Sequence, residues 1–505
     1  MTEASTAPRP FDVAPTTLTS VDPANGDVVV ELPIDDADAV TAAVARARAA
    51  LPIWRDLGFD GRRMALLRWK SELINHAEEL GALVHRENGK PLEDAFLEIM
   101  LMLEHIDWAA RHAKKVLGPE KVSPGMLMAN HEAIIERRAF GVVGVIGPWN
   151  YPLYTPNGSI AYALAAGNTV VFKPSEFTPA IGRYYAEAFA HANPELPPAI
   201  LSTVVGCGAT GAALVTADID KIAFTGSTPT GKKIMAAAAE RMTPVVLECG
   251  GKDPAIVAAD ADVAAAADAI AWAAVSNSGQ TCIGTERVYV EEPVYAQFLT
   301  ELQAKLRDVK PGSAHPAAYG PMTMPAQIDV VRRHVEDALA TGGRALVGGP
   351  DSIKGPFIEP VVLVDTPEDS LAVTEETFGP TVTVRAVKSV DEAVDLANST
   401  PYGLASAVFS KAQGMAIARR LRAGATSVNG VLSFAAISAL PFGGVGASGF
   451  GRIHGADGLR EFTYPHAIAR QRFALPGMAL LSFGRKSATV AVIKRITTLR
   501  HGRHR

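Results

Sequence analysis

From Ala139 to Phe172 the chain carries no charged residue, and this stretch limits the possible folds more than any other. A run this long suggests a membrane span. It also contains Pro148, Pro152 and Pro156, with Asn150, Asn157 and Asn168 among them. A lipid-facing helix cannot carry that many interruptions and polar groups unsatisfied. A buried strand, a turn and a buried helix fit the same residues and are expected here.

The pattern continues beyond it. Strand-like runs at Val142–Ile146, Thr169–Phe172, Leu201–Val205, Lys221–Phe224 and Pro244–Leu247 alternate with helical segments starting near Asn157, Thr178, Gly208 and Thr228. Such alternation predicts parallel βαβ units and an α/β fold. A second α/β region begins near Gly251, with strands at Ala255–Val257, Arg287–Val290, Thr381–Ala386, Ser406–Phe409 and Thr426–Val428. The N-terminal third reads as helical: Ala39–Leu51, Arg62–Glu87 closed by Asn88-Gly89, and a helix from Pro91 toward Leu117. His131–Phe140 alternates like a strand.

A chain of 505 residues is too long for one core. A net charge of −5 gives no case for nucleic-acid binding. Three cysteines cannot build a disulfide framework, so a reducing, cytoplasmic setting is expected. Met1–Pro15 is polar and lacks the apolar core of a signal peptide. Arg485–Arg505 holds seven Lys or Arg, two His and no acid, with Val490, Ile493, Ile496 and Leu499 at helical spacing. It reads as a surface tail or as an amphipathic helix touching a membrane surface or a partner.

The chemistry gathers in a few turns. Cys282 closes Ser278-Gly279-Gln280-Thr281-Cys282, Glu248 stands before Gly250-Gly251, and Asn150 lies in Pro148-Trp149-Asn150-Tyr151-Pro152. A thiol, an isolated carboxylate and an amide suit thiol-mediated chemistry on a carbonyl. Each also has a bland reading. Glu248 could be paired with Lys252, Asn150 could be a turn residue, and Lys173–Glu176 could be only a loop. Cys207 and Cys249 read as buried small hydrophobes. Gly226–Lys233 resembles a phosphate-binding loop, but Lys233 stands where Ser or Thr should hold Mg²⁺. Its helix N-terminus can still receive a pyrophosphate. No spacing of Cys and His predicts a metal site.

Taken in order, these motifs closely resemble the aldehyde dehydrogenase superfamily, from about Val21 to Phe473. The match is carried by Pro148–Pro152, Lys173–Glu176, Phe224-Thr225-Gly226-Ser227, Glu248–Lys252, Gly279–Cys282, Glu375-Glu376-Thr377-Phe378-Gly379-Pro380 and Pro441–Gly444. Cys249 and Thr377 depart from the usual pattern at non-catalytic positions.

The resemblance implies a Rossmann-like cofactor domain from 1–120 and 141–249 and an α/β catalytic domain from 250–461. It also implies a small β oligomerisation arm from 121–140 and 462–475, ahead of a basic tail, 476–505. Cys282 would be the nucleophile, Asn150 an oxyanion donor and Glu248 the base that activates water. Lys173 and Glu176 would hold the adenine ribose, Gly226 and Ser227 a phosphate, and Glu376 the nicotinamide ribose, with Trp149 and Phe378 beside the cofactor. Glu176 favours NAD while admitting NADP. The expected partners are an aldehyde and further copies of the chain, as a homodimer or homotetramer. Glu248 argues against the coenzyme A-acylating alternative. A succinate-semialdehyde-type substrate is less favoured, because no Arg is placed to clamp its carboxylate. A non-catalytic binding protein would not need all three active-site residues.

Overall fold

The computed structural model describes residues 16–314, 316–474 and 482–502. Met1–Pro15, expected to lack a signal peptide, lies outside these residues, as do 475–481 and 503–505 of the arm and tail. The chain divides into two compact units, one of residues 1–116 and 139–462, the other of 117–138 and 463–505.

The first unit contains two large sheets. A six-stranded sheet has the order Gly449–Phe450, Val245–Cys249, Lys221–Gly226, Val142–Ile146, Thr169–Lys173, Leu201–Thr203. All its pairings are parallel except the first, where Gly449 lies opposite Glu248. The uncharged stretch supplies two of these strands and the helix between them, Tyr154–Ala166, buried along nearly its whole length. Gly167 ends that helix at φ 100°, a left-handed position open to glycine.

The second sheet has seven strands in the order Arg344–Val347, Val361–Val364, Thr381–Val387, Thr285–Glu291, Asp253–Val257, Ala405–Phe409, Ala425–Val428. Only the Arg344–Val347 edge runs antiparallel. Central strands buried on both faces explain the unbroken runs of Val, Ile and Ala. The β-rich reading missed Arg344–Val347 and Val361–Val364.

Two further expectations need correction. The helix expected over Arg62–Glu87 is two helices, Gly58–Asn75 and Ala77–Asn88, separated at His76. The helical N-terminal third also opens with an antiparallel hairpin, Thr17–Val21 with Val28–Pro33. Its turn, Asp22 to Asp27, is tied by side-chain bonds from Asp22 and Asn25 to backbone amides, a local signal the reading passed over.

The second unit carries a three-stranded sheet ordered Thr463–Gln471, His131–Ala139, Glu120–Val122. It also has a C-terminal helix, Ser487–His501, exposed along almost all of its length. No described helix is long and apolar enough to cross a membrane.

Candidate active site

A cavity of about 960 Å³ opens in the first unit at the carboxyl ends of the six-stranded sheet's strands. It is lined by every catalytic and cofactor residue that the family resemblance implies: Trp149, Asn150, Lys173, Glu176, Gly226, Ser227, Glu248, Cys282, Glu376 and Phe378. The parallel topology accounts for this convergence, since successive loops leave a parallel sheet at one edge.

Asn150 sits in the turn after Val142–Ile146, and that turn is pinned from outside the sheet. Buried Lys90 is ion-paired to Glu98 and donates to the Asn150 carbonyl at 3.1 Å. Glu98 in turn accepts from the amides of Leu153 and Tyr154, at 2.8 and 3.0 Å. Asn88 donates to the Trp149 carbonyl at 2.8 Å. A buried ion pair whose remaining valences are satisfied fixes conformation even where it adds little net stability. These residues were not found from sequence; Lys90 and Glu98 carry no local signal of pairing.

Asn150 Nδ2 donates to the Gln280 carbonyl at 2.9 Å, which carries the amide to the Cys282 turn. That turn follows the helix Val263–Val275 and is strained, with Asn277 and Ser278 at φ 52° and 58°. Asn277 Nδ2 bridges the carbonyls of Asn150 and Gln280, and Gln280 Oε1 accepts from Thr323 N at 2.8 Å. At Gly279 a side chain would lie 2.0 Å from the Gly379 carbonyl. The glycine is therefore required for the turn to pack. Non-glycine residues at positive φ persist when their surroundings over-determine them.

Cys282 is only partly buried and belongs to an apolar cluster with Ile283, Phe434, Phe442 and Ile453. Burial pushes its thiol up, and the carboxylates of Asp253, Glu376 and Glu248 add to the push. Glu248 is the penultimate residue of the strand Val245–Cys249 and is 3% exposed. Neither of its oxygens has a hydrogen-bond partner of ordinary geometry among the described residues. Burial pushes it well above the usual carboxylate range, moderated by Arg452 and the nearby Gly444 amide. The expected alternative partner is engaged elsewhere: Lys252 pairs with Glu286. Gly443 leaves the carboxylate room, since a side chain there would meet Oε1 at 2.8 Å. An unpaired buried carboxyl in a cavity is a candidate for acid–base work.

Glu376 rests against the backbone at Gly250, and its Oε1 accepts from Gly251 N at 3.0 Å. Burial, chiefly, pushes it up to about 8. Glu286 accepts from the amides of Thr377 and Phe378 and so holds this turn, with Phe378 at φ 51°. The Phe378 ring meets Trp149 edge to face, with centroids 5.5 Å apart. Lys173, at the end of its strand, is buried and lies 3.7 Å from Glu176; burial pushes its ammonium down. Ser227 caps the helix Thr228–Ala239.

Of the other cysteines, Cys249 is buried as expected, with Gly231 packed closely against its sulfur. Cys207 corrects the expectation. It is exposed, because it precedes the helix Gly208–Thr216 instead of packing in the core. No cluster of metal-binding side chains occurs among the described residues.

Residues 12–468 match the aldehyde dehydrogenase family. The chain belongs to that family. It is 37% identical over 465 residues to 4,4'-diapolycopene aldehyde oxidase of a Methylomonas species, covering 91% of this chain and 87% of that protein. It is 36% identical over 449 residues to the mitochondrial succinate-semialdehyde dehydrogenase of Arabidopsis thaliana, covering 87% and 83%. Among solved structures, an NADP-dependent enzyme of Escherichia coli superposes with a TM-score of 0.86 at 32% identity, covering 90% of this chain and 95% of that one. As an aldehyde dehydrogenase, the protein is an NAD(P)-dependent oxidoreductase that oxidises aldehydes. The cavity suits that cofactor. Its volume is at the upper end for small-molecule sites, and its lining supplies a capped helix N-terminus, a Lys–Glu pair and a buried carboxyl, donors and acceptors matched to phosphates and ribose hydroxyls.

Proposed function

We propose that this enzyme oxidises an uncharged, largely apolar aldehyde to the free acid, with Cys282, Asn150 and Glu248 as its catalytic residues. The observation that carries the substrate class is the lining around Cys282. The basic side chains in the cavity are Lys90, Lys173 and Lys233. Lys90 is paired with Glu98, Lys173 lies beside Glu176, and Lys233 is on the helix capped by Ser227. The walls at the thiol are aromatic and aliphatic, and no Arg lines the cavity among the described residues, so the semialdehyde reading suggested by some relatives is disfavoured.

In this reading the Cys282 thiolate adds to the aldehyde carbon, and the Asn150 amide with the Cys282 backbone N–H stabilises the resulting oxyanion. Such a donor is worth on the order of 10²–10³ in rate. NAD(P), when bound, supplies the hydride acceptor. Lys173 and Glu176 hold its adenine ribose, Gly226 and Ser227 its phosphates, and Glu376 its nicotinamide ribose, with Trp149 and Phe378 alongside. Glu176 favours NAD, because a carboxylate accepts from ribose hydroxyls and repels a 2′-phosphate. Glu248, once ionised, then takes a proton from water as that water attacks the cysteine thioester, releasing the acid and the Cys282 thiolate.

The segments 1–120 and 141–249 form the cofactor domain and 250–461 the catalytic domain, with 121–140 and 462–475 as the oligomerisation arm. Two observations support the arm. Thr463–Gln471 is an edge strand among the described residues, and Met126, Leu127 and Phe473 expose apolar surface. A homodimer or homotetramer would cover both.

The decisive assay is cofactor reduction across an aldehyde panel, with NAD against NADP and with coenzyme A present or absent. Turnover with apolar aldehydes and NAD, without coenzyme A, is expected. Turnover confined to a carboxylated semialdehyde, or dependent on coenzyme A, would overturn the reading.

The cytoplasmic enzyme would meet a membrane surface through the helix Ser487–His501, which exposes Val490, Val492, Ile496 and Leu499 among basic residues. Truncation after Phe483 should reduce co-sedimentation with anionic vesicles. Unchanged co-sedimentation would remove the tail from membrane binding.

A further inference from the structure

Asn88 and Thr323 lie behind the wall of the cavity, 1% and 4% exposed, and neither lines it. Asn88 is the last residue of the helix Ala77–Asn88, and Thr323 stands in the loop just before the helix Pro325–Ala340. The two segments meet backbone to backbone. A side chain at Gly89 would come within 2.8 Å of the Pro321 ring, and one at Gly320 within 2.0 Å of the Gly89 carbonyl. Gly89 also sits at φ 91°, a left-handed position that favours glycine. At this contact the Thr323 hydroxyl donates to the Asn88 carbonyl at 2.6 Å, and the Asn88 amide reaches the same hydroxyl at 3.4 Å.

From this contact hydrogen bonds run both ways around a ring. On one side Asn88 Nδ2 donates to the Trp149 carbonyl at 2.8 Å, holding the peptide that leads directly into Asn150. On the other, Thr323 N donates to Gln280 Oε1 at 2.8 Å. The Gln280 carbonyl accepts from Asn150 Nδ2 at 2.9 Å, so the circuit through Asn88, Trp149, Asn150, Gln280 and Thr323 closes on itself. Asn277 braces it from within, its Nδ2 donating to the carbonyls of Asn150 and Gln280 at 3.1 and 3.2 Å. Ser278 Oγ donates to the Gly320 carbonyl at 2.5 Å, which ties the nucleophile turn to the same loop. Asn88, Asn150, Asn277, Gln280 and Thr323 are all buried, and a satisfied buried network specifies one geometry.

A primary amide donates through two hydrogens held in one plane, so placing one fixes where the other points. We propose that Asn88 and Thr323 are positioning residues for the oxyanion donor, closing the ring that holds one Asn150 amide hydrogen on the Gln280 carbonyl and leaves the second for the oxygen of the Cys282 adduct. They touch no substrate and act only through Asn150. The inference deepens the aldehyde-oxidation reading above and rests on the role given there to Asn150. A misplacement of about 1 Å costs on the order of 10² in rate, so a loosened ring forfeits part of what the donor contributes.

The test is a double-mutant cycle in full-length enzyme, read as the rate of the single-turnover NAD(P)H burst at saturating aldehyde and cofactor. Thr323→Val keeps the side chain's size and removes the hydroxyl, and it should slow the burst about tenfold. Cofactor Kd by calorimetry should stay within about twofold, and Thr323→Ser should recover most of the rate, since it restores the donor to the Asn88 carbonyl. In an Asn150→Ala background the same Thr323→Val change should cost less than about twofold more, because the group it positions is gone. A parental burst in Thr323→Val, or an equal loss in both backgrounds, would overturn the proposal. If Thr323→Val does not fold, Asn88→Ala completes the same cycle. The two failures separate. A parental burst in Asn150→Ala alone removes the oxyanion role and the positioning with it, whereas a slow Asn150→Ala with an additive loss from Thr323→Val removes the positioning only.

Discussion

Replacing Cys282 with alanine should abolish aldehyde-dependent NAD(P)H formation, by on the order of 10⁴-fold or more in kcat/KM, while the enzyme stays folded and still binds cofactor. The size follows from the reaction order. Without the thiol there is no covalent adduct, so the proposed oxyanion donor Asn150 and the proposed water-activating Glu248 lose the intermediates on which they would act, and residues working as a unit fail together. Stability should change little, because Cys282 is partly exposed to the cavity and a single sulfur is removed from its apolar cluster. No other cysteine can substitute. Cys249 is buried with its thiol pushed up to about 11, and Cys207 does not line the cavity. The parent's own profile gives a second check. Burial and three nearby carboxylates push the Cys282 thiol up, so adduct formation at saturating cofactor should accelerate as pH rises. Turnover within tenfold of the parent in Cys282→Ala, with the melting temperature unchanged, would move the nucleophile elsewhere.

Much of this site was legible because its parts lie in short, unusual turns. Cys282, Glu248 and Asn150 each adjoin glycines or prolines that the backbone needs, and Gly279 and Gly443 are open for reasons of packing that leave a local mark in the sequence. The long-range supports left none. Lys90–Glu98 and Lys252–Glu286 are ordinary charged residues until the fold buries them together. Lys252 was an apparent partner for Glu248 only because it is near in sequence. Two of the antiparallel elements missed, Thr17–Pro33 and Arg344–Val347, are short strands at hairpin and edge positions and are largely half-buried or exposed. Cys207 shows the opposite error. A lone cysteine is more often a small buried hydrophobe, whereas this one precedes a helix at the surface.

Changing Glu248 to glutamine should split the reaction in time. A single-turnover burst of NAD(P)H is expected at near-parental rate, because the thiol and the Asn150 amide remain. Steady-state turnover should then fall by about 10²–10⁴-fold, the usual contribution of a positioned general base, with thioester accumulating on Cys282. Glutamine preserves the volume in the space that Gly443 leaves open but cannot take a proton. The same substitution has a stability consequence whose sign is fixed. Glu248 is raised well above its ordinary value of 4.5 by burial, so from about that pH upward the folded state holds a proton that the unfolded chain has released. Stability of the parent therefore declines with rising pH through that window until Glu248 itself ionises, whereas the glutamine variant lacks this decline. Melting temperatures of the two proteins should draw apart as pH rises above the ordinary carboxylate range, in favour of the variant. The kinetics also separate two roles for the carboxyl. Loss of burst and steady state together would assign Glu248 to activating the thiol, and parental steady-state turnover would remove it from the reaction. A slow steady state after an intact burst leaves deacylation as the step it serves.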